Sequence, residues 1–152
     1  MFLFLSLAFS IPLYKDPKAP INDRVQDLMD RMTVEEIVGQ LHQVDGHFDF
    51  ITPMETQNPG SLFSLLGNTA AHVIRLARET RLQIPVLMAI DAIHGHCFWS
   101  GATVFPTQLG VAQSWDLDII KKMGNVTAFE IRYTGPAWAF SPVLCIARDP
   151  RW

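Results

Sequence analysis

Nearly continuous apolar runs alternate along this chain with segments of helical period, and this alternation constrains the fold more than any other feature. Val86 to Ile90 reads VLMAI and is followed at once by Asp91, while Gly60 to Gly67 and Ala137 to Cys145 are two further apolar runs. Such runs are typical of strands that are covered on both faces. Strands that alternate with helices predict an α/β fold of parallel β/α units, of which the chain offers three or four.

The intervening segments carry apolar residues at intervals of three and four, as helices with one buried face do. The first predicted helix is capped by Asn22 and has Val25, Leu28, Met29 and Met32 on one side. Thr33 to Glu36 predicts a capping box that opens a second helix through Leu41. A loop containing Pro53 and Pro59 is predicted to follow.

Two later helices are predicted from the same period and from their end signals. Asn68 would cap the first of them, whose inward residues are Val73, Ile74, Ala77 and Leu82. The second would run from about Asp116 to Thr134 and stop at Gly135, with Leu117, Ile120, Thr127 and Ile131 inward.

The charge of the chain argues against nucleic acid as a partner. The formal net charge is −3, the pI is near 5.9, and no cluster of Lys and Arg occurs. The content of 49% hydrophobic and 18% charged residues is that of a chain with a buried core.

The first ten residues, MFLFLSLAFS, predict a short secretory signal, since they are apolar and end in small side chains at the positions that a signal peptidase reads. A buried N-terminal strand is the alternative. Ten residues are too short to span a bilayer, and no other segment is a candidate for a membrane span. Cys97 and Cys145 could pair if the protein is exported, or could be packed unpaired.

Asp91 is the best candidate for a functional residue. It stands where the apolar run ends, and function in parallel α/β folds lies at the carboxyl ends of the strands. A carboxylate there can accept hydrogen bonds from two neighbouring sugar hydroxyls. The structural alternative is an aspartate that caps its own turn.

His94 and His96 offer a metal site as a second interpretation. Two residues apart in an extended chain, they would lie on one face near Asp91. Gly95 between them indicates a turn instead, and His42, His47 and His72 complete no ligand set. We therefore expect structural, hydrogen-bonded histidines, with no metal and no cofactor.

Aromatic and charged residues near the end of the chain have structural interpretations as well. Trp138 and Phe140 alternate with alanines and should face one way, either for core packing or for stacking on a sugar ring. In the closing ARDPRW, an Arg–Asp pair is expected to brace a loop.

Four blocks in register resemble the N-terminal domain of glycoside hydrolase family 3, the family of many β-glucosidases and exo-β-glucanases. They are RVQDLMDRMTVEEIVGQL; RLQIPVLMAIDAIHG with GATVFPTQLG; AFEIRYTG; and SPVLCIARDPRW. The resemblance runs from about Asp23 to Trp152. It implies that residues 11–152 are the first three to four units of a (β/α)₈ barrel, a fold that takes about 250 residues.

By the same resemblance the chain is part of a retaining β-glucosidase that removes terminal β-D-glucosyl residues, in a secreted or lysosome-like or vacuole-like setting. Asp91 matches the aspartate that grips hydroxyls of the terminal sugar. The substrate would be a β-glucoside or β-glucan oligosaccharide. Alternatives are a β-xylosidase or β-N-acetylhexosaminidase of the same family, or an inert truncated gene product.

The resemblance also implies that the catalytic residues are elsewhere. Such enzymes need a nucleophile and an acid/base, two carboxyl groups about 5–5.5 Å apart. Both match positions beyond residue 152, so this chain holds no catalytic residue. We expect the 152 residues alone to be inactive and not to fold stably.

Overall fold

The computed structural model describes residues 11–145 and 148–151. The chain divides into two units, one up to Val38 and one from Gly39 onward. Its helices and strands, in chain order, are α1 Ile21–Arg31, α2 Val34–Gln40, β1 Gln43–Asp45, α3 Ile51–Thr56, β2 Ser61–Phe63, α4 Gly67–Glu79, β3 Leu87–Ile90, α5 Gln108–Ala112, α6 Leu117–Thr134 and β4 Trp138–Ala139. The predicted signal sequence lies outside the described residues.

The first unit is built on α1 and a short turn before it. The backbone N–H of Tyr14 donates to Asp27, at 3.0 Å, and Arg31 forms an ion pair with the same carboxylate at 2.8 Å. The predicted cap at Asn22 is wrong, because α1 begins at Ile21, directly after Pro20. Proline in this position presets the backbone dihedral and leaves Asn22 inside the first turn.

The capping box at the start of α2 is confirmed. Glu36 N–H donates to the Thr33 hydroxyl at 3.2 Å, and Thr33 N–H donates to the Glu36 carboxylate at 2.9 Å. Each side chain thereby satisfies one backbone donor that the first turn of a helix leaves free.

The second unit holds one parallel sheet, as predicted for an α/β fold. Its four strands lie in the order β1-β2-β3-β4, and every neighbouring pair is parallel. Consecutive parallel strands joined by helices form successive β/α units of a barrel-type fold.

One face of the sheet packs against the helices and forms the core. Leu62 and Met88 lie under Val73 and Ala77 of α4, and Ile90 packs with Ile131 of α6. Leu62, Val73 and Ile90 expose at most 1% of their surface, and burying each contributes about 1.5–3 kcal/mol.

Two predicted strands are shorter in the structure. The run from Gly60 to Gly67 contributes only β2, because the chain turns at Ser64, whose φ is +63°. The run from Ala137 to Cys145 contributes only Trp138 and Ala139 to β4, and Pro142 has no N–H to continue a ladder.

Several details of the predicted helices are also wrong. α4 begins at Gly67 after Leu66, so Asn68 lies within its first turn, and Leu82 is buried beyond the helix end at Glu79. Ile74 and Leu117 expose 42% and 79% of their surface and do not point inward. The predicted loop between α2 and Gly60 in fact contains β1 and α3.

Candidate functional site

The carboxyl ends of the four strands meet along one edge of the sheet, and Asp91 stands on that edge immediately after β3. The backbone O of Asp91 accepts from Ser141 N–H at 3.1 Å, and that of Ile90 accepts from Phe140 N–H at 3.0 Å. The chain at Asp91 is therefore bonded to the segment that follows β4.

Strand register shows which side chains share the face of Asp91. Ala89 is opposite both Phe63 of β2 and Trp138 of β4. Two residues further along each strand, Asp91 and Phe140 are level and on the same face, since side chains alternate with period two. This face is the one opposite the helices and their core.

The Asp91 carboxylate is half-buried. Within residues 11–145 and 148–151, its side chain makes no hydrogen bond or ion pair. The predicted alternative, an aspartate that caps its own turn, is therefore not what the described residues show. The carboxylate remains available to accept hydrogen bonds from a ligand.

Ala92 follows in a left-handed conformation, with φ at +52°. This conformation costs a non-glycine residue roughly 1–2 kcal/mol, and such strain is concentrated at functional sites. Ala92 itself is buried, in a cluster with Ile90 and Ile131.

A row of rings lies along the open face of the sheet. Phe63 and Phe140 stack with their centroids 5.5 Å apart, and Trp138 meets Phe140 edge-on at 4.9 Å. The rings of His47 and Phe63 meet edge-on with their centroids 6.2 Å apart. Trp138 and Phe140 thus face one way, as predicted, and expose 42% and 36% of their surface. We call these four residues the aromatic row.

Asp45, at the end of β1, is the second carboxylate of this edge. Its Oδ1 accepts from the backbone N–H of His47 at 3.0 Å and lies 2.8 Å from His47 Nδ1. The backbone hydrogen bond from His47, followed by that of its side chain, lowers the pKa of Asp45. The Asp45 carboxylate is therefore already hydrogen-bonded to His47, unlike that of Asp91.

The two histidines after Asp91 have separate structural partners. His94 Nδ1 lies 3.1 Å from the carbonyl oxygen of Phe105, so this nitrogen carries the proton and donates. His96 Nε2 lies 2.7 Å from the Thr134 hydroxyl, and the ring is fully buried, parallel to that of Trp99. Gly95 between them has φ at +72°, as its predicted turn requires.

The burial of His96 favours the neutral form of its ring. Burial lowers the pKa of the imidazole, and the charge of Glu130 opposes this effect more weakly. Because the Thr134 hydroxyl donates to the Ile131 carbonyl at 2.9 Å, it accepts from Nε2–H of His96. His96 Nδ1 is then a buried acceptor without a partner among the described residues.

Helix α6 supplies two residues to this region that sequence reasoning did not single out. Glu130 accepts three hydrogen bonds from Thr103, and Thr134, one turn later, bonds to His96. Both belong to the block AFEIRYTG. The sequence showed only the block as a whole, because Thr103 and Glu130 are 27 positions apart and no local pattern pairs them.

No group of three or more His, Cys, Asp or Glu side chains that could hold a metal ion occurs in the described part of the chain. Cys97 and Cys145 are both free, and Cys145 is exposed. The Arg–Asp pair near the end of the chain is present, between Arg151 and Asp149 at 2.6 Å. Among the described helices, none is long and apolar enough to cross a bilayer.

An apolar cavity of about 410 Å³ lies on the other side of β3, toward the helices. Ala92, Ile131 and Ala139 line it together with Ser141, whose buried hydroxyl has no partner among the described residues. Asp91 is not among its lining residues. The cavity and the open face of the sheet are therefore separate features.

Comparison with known proteins gives a consistent result. Residues 33–152 match the model of the glycosyl hydrolase family 3 N-terminal domain. A periplasmic beta-glucosidase of Salmonella typhimurium is 33% identical over 84% of this chain. A beta-glucosidase of intestinal bacteria involved in saponin metabolism is 46% identical over 85% of the chain, with a TM-score of 0.69.

A third protein, an exo-1,3/1,4-beta-glucanase variant of Pseudoalteromonas, has the similar fold with a TM-score of 0.77, at 29% identity over 90% of the chain. The chain spans 17% of the length of the Salmonella protein, 17% of the intestinal enzyme and 25% of the Pseudoalteromonas enzyme.

Proposed function

The chain belongs to glycosyl hydrolase family 3, as part of the N-terminal domain of that family, and from this premise we propose that it forms the first β/α units of a β-glucosidase barrel. The match over residues 33–152 carries the proposal. Relatives at 33% and 46% identity that are named beta-glucosidases support it.

In this proposal, the complete enzyme removes terminal, non-reducing β-D-glucosyl residues from glucosides or β-glucan oligosaccharides with retention of configuration. The resemblance to family 3 is the ground on which this proposal assigns the nucleophile and the acid/base to polypeptide outside these 152 residues. The 152 residues alone should therefore be inactive, because retaining hydrolysis needs both carboxyl groups.

The role of this chain in that reaction is to bind the terminal sugar through Asp91. The carboxylate lies at the carboxyl end of β3, half-buried, and has no protein partner among the described residues. An ionised carboxylate forms stronger hydrogen bonds than a neutral acceptor and can accept from two adjacent hydroxyls. Asp45 on the same edge is engaged by His47 and is the poorer candidate.

We also propose that the protein acts outside the cytoplasm, by export or in a lysosome-like or vacuole-like compartment. The support is the periplasmic designation of the Salmonella relative, together with the signal predicted for residues 1–10.

A panel of aryl glycosides tests this function in the complete protein that contains the chain. Hydrolysis of an aryl β-D-glucoside in preference to the β-D-xyloside and the β-N-acetylglucosaminide is expected, with β-glucose as the product first seen by NMR. Preference for either other glycoside would assign that activity instead. Hydrolysis of none of them would favour the inert gene product.

A further inference from the structure

We propose that Glu130 is a positioning residue for Asp91: by binding Thr103, it holds the segment that follows Asp91 and so fixes the direction of that carboxylate. The inference rests on the proposed sugar-binding role of Asp91 and extends it to a residue of helix α6. Glu130 would not touch the substrate.

The contact between Glu130 and Thr103 is a three-bond clamp. The backbone N–H of Thr103 donates to both carboxylate oxygens, at 3.0 and 3.2 Å, and its hydroxyl donates to Oε1 at 2.9 Å. A charged acceptor strengthens each of these bonds. The partners are 27 residues apart, so the clamp ties the loop to the helix.

Thr103 transmits this restraint to the residues near Asp91. A Cβ atom on Gly95 would lie only 2.7 Å from the Thr103 carbonyl oxygen, which shows how closely the two backbones approach. Next to this contact, Phe105 N–H donates to the His94 carbonyl at 2.9 Å, and His94 Nδ1–H donates back to the Phe105 carbonyl at 3.1 Å. Residues 103–105 therefore lie directly against residues 94 and 95.

A second anchor lies one helical turn from the first. Thr134 binds the buried His96 at 2.7 Å, and residues four apart share one face of a helix. Helix α6 thus holds the segment from Ala92 to Phe105 at two points, Thr103 and His96.

Asp91 depends on this backbone framework because its carboxylate has no side-chain partner among the described residues. On one side its carbonyl is bonded to Ser141 N–H at 3.1 Å, and on the other Ala92 turns with φ at +52°. Loosening the loop at Thr103 would let this strained turn relax and would move Asp91 away from the sugar. A misplacement of 1 Å at a reactive site can cost on the order of a hundredfold in rate.

A double-mutant cycle in the complete protein tests the inference. Glu130→Ala and Asp91→Ala are made singly and together, and kcat/KM for an aryl β-D-glucoside and the inhibition constant of D-glucose are measured. In the presence of Asp91, Glu130→Ala is expected to lower kcat/KM and to raise the inhibition constant of D-glucose, each by about tenfold or more. It should have almost no effect once Asp91 is alanine, because coupled residues are not additive.

Graded variants separate positioning from folding. Glu130→Gln keeps one acceptor for Thr103 and should fall between wild type and Glu130→Ala, and Thr103→Val removes only the hydroxyl bond. Either can replace Glu130→Ala in the cycle if that variant does not fold. Glu79→Gln, which changes a helical carboxylate at the far end of α4, is the matched control and should behave as wild type.

The inference would be overturned if Glu130→Ala changed kcat/KM and the inhibition constant by the same factors with and without Asp91. It would also be overturned if Glu130→Ala changed neither constant. If Asp91→Ala alone leaves both constants unchanged, the proposed sugar-binding role fails first, and the inference fails with it.

Discussion

The Nε2 atom of His96 and the hydroxyl of Thr134 lie 2.7 Å apart, although the two residues are 38 positions apart in the chain. The pair fixes the loop after Asp91 to helix α6 and places an imidazole where it is fully buried. His96 therefore has a structural partner on helix α6.

The neutral state of His96 predicts a pH dependence of stability. Burial lowers its pKa from the usual 6.5, so the unfolded chain takes up the proton more readily. The stabilisation is therefore fully present above pH 6.5 and is lost as the pH falls toward the folded-state pKa, with a slope of at most about 1.4 kcal/mol per pH unit. Native-state hydrogen exchange of the 92–106 amides in the complete protein, followed between pH 7 and pH 5, measures this dependence.

His96→Gln should remove this pH-dependent component, because it keeps an N–H donor for Thr134 without a titrating ring. His42→Gln, which removes an exposed histidine, is the control and should retain it. A slope that survives in His96→Gln would show that another group causes it.

Gly95→Ala should destabilise the same loop strongly. A Cβ at this position would lie 2.7 Å from the Thr103 carbonyl oxygen and from Phe105 Cδ2, with φ at +72°. Strain of about 1–2 kcal/mol is then joined by overpacking of roughly 1–3 kcal/mol. Local opening free energies from hydrogen exchange of residues 92–106 in the complete protein report the sum of the two costs.

Gly101→Ala is the matched control for this clash. Gly101 also has a left-handed φ, +89°, but nothing lies within 4 Å of the position that its Cβ would take. It should therefore show the strain alone. If the two substitutions lowered the local opening free energy equally, the close approach of the Gly95 and Thr103 backbones would be contradicted.

The capping box predicts that substitution of Thr33 lowers the local stability of the first turn of α2. Thr33→Ala removes the acceptor that Glu36 N–H uses at 3.2 Å, and the loss of a threonine cap costs about 1 kcal/mol. Thr33→Ser keeps the oxygen and should stay near wild type. Amide exchange in the first turn of α2 distinguishes the two, and equal protection in Thr33→Ala and wild type would refute the cap.

Features with local causes could be predicted from the sequence. Asp116 caps α6 by accepting from the N–H groups of Asp118 and Ile119, and Gly135 ends that helix with φ at +119°. The strand ahead of Asp91 could be located because its apolar run is uninterrupted. The parallel order of the sheet followed from the alternation of such runs with helices.

Features with non-local causes could not be predicted from the sequence. β1 contains only one apolar residue, Val44, so no pattern marks it and its pairing with β2 alone defines it. α3 includes Pro53, which the sequence suggested as a loop; proline is tolerated in the first turn, where its missing N–H has no partner to lose.

The candidate site divides in the same way. Asp91 could be singled out because the end of an apolar run is visible in one stretch of sequence. The clamp of Glu130 on Thr103 could not, since it depends on where helix α6 packs against the loop. His96 was expected to be hydrogen-bonded, but its partner Thr134 and its complete burial are results of the packing.

The role of Asp91 in sugar binding is tested most directly by kcat/KM of Asp91→Ala with an aryl β-D-glucoside, measured in the complete protein. Loss of the hydrogen bonds that two sugar hydroxyls donate to this charged acceptor should lower kcat/KM by at least about a hundredfold. Asp23→Ala, at an exposed aspartate of α1, is the control and should leave it unchanged. A value for Asp91→Ala equal to that of wild type would show that Asp91 does not bind the sugar.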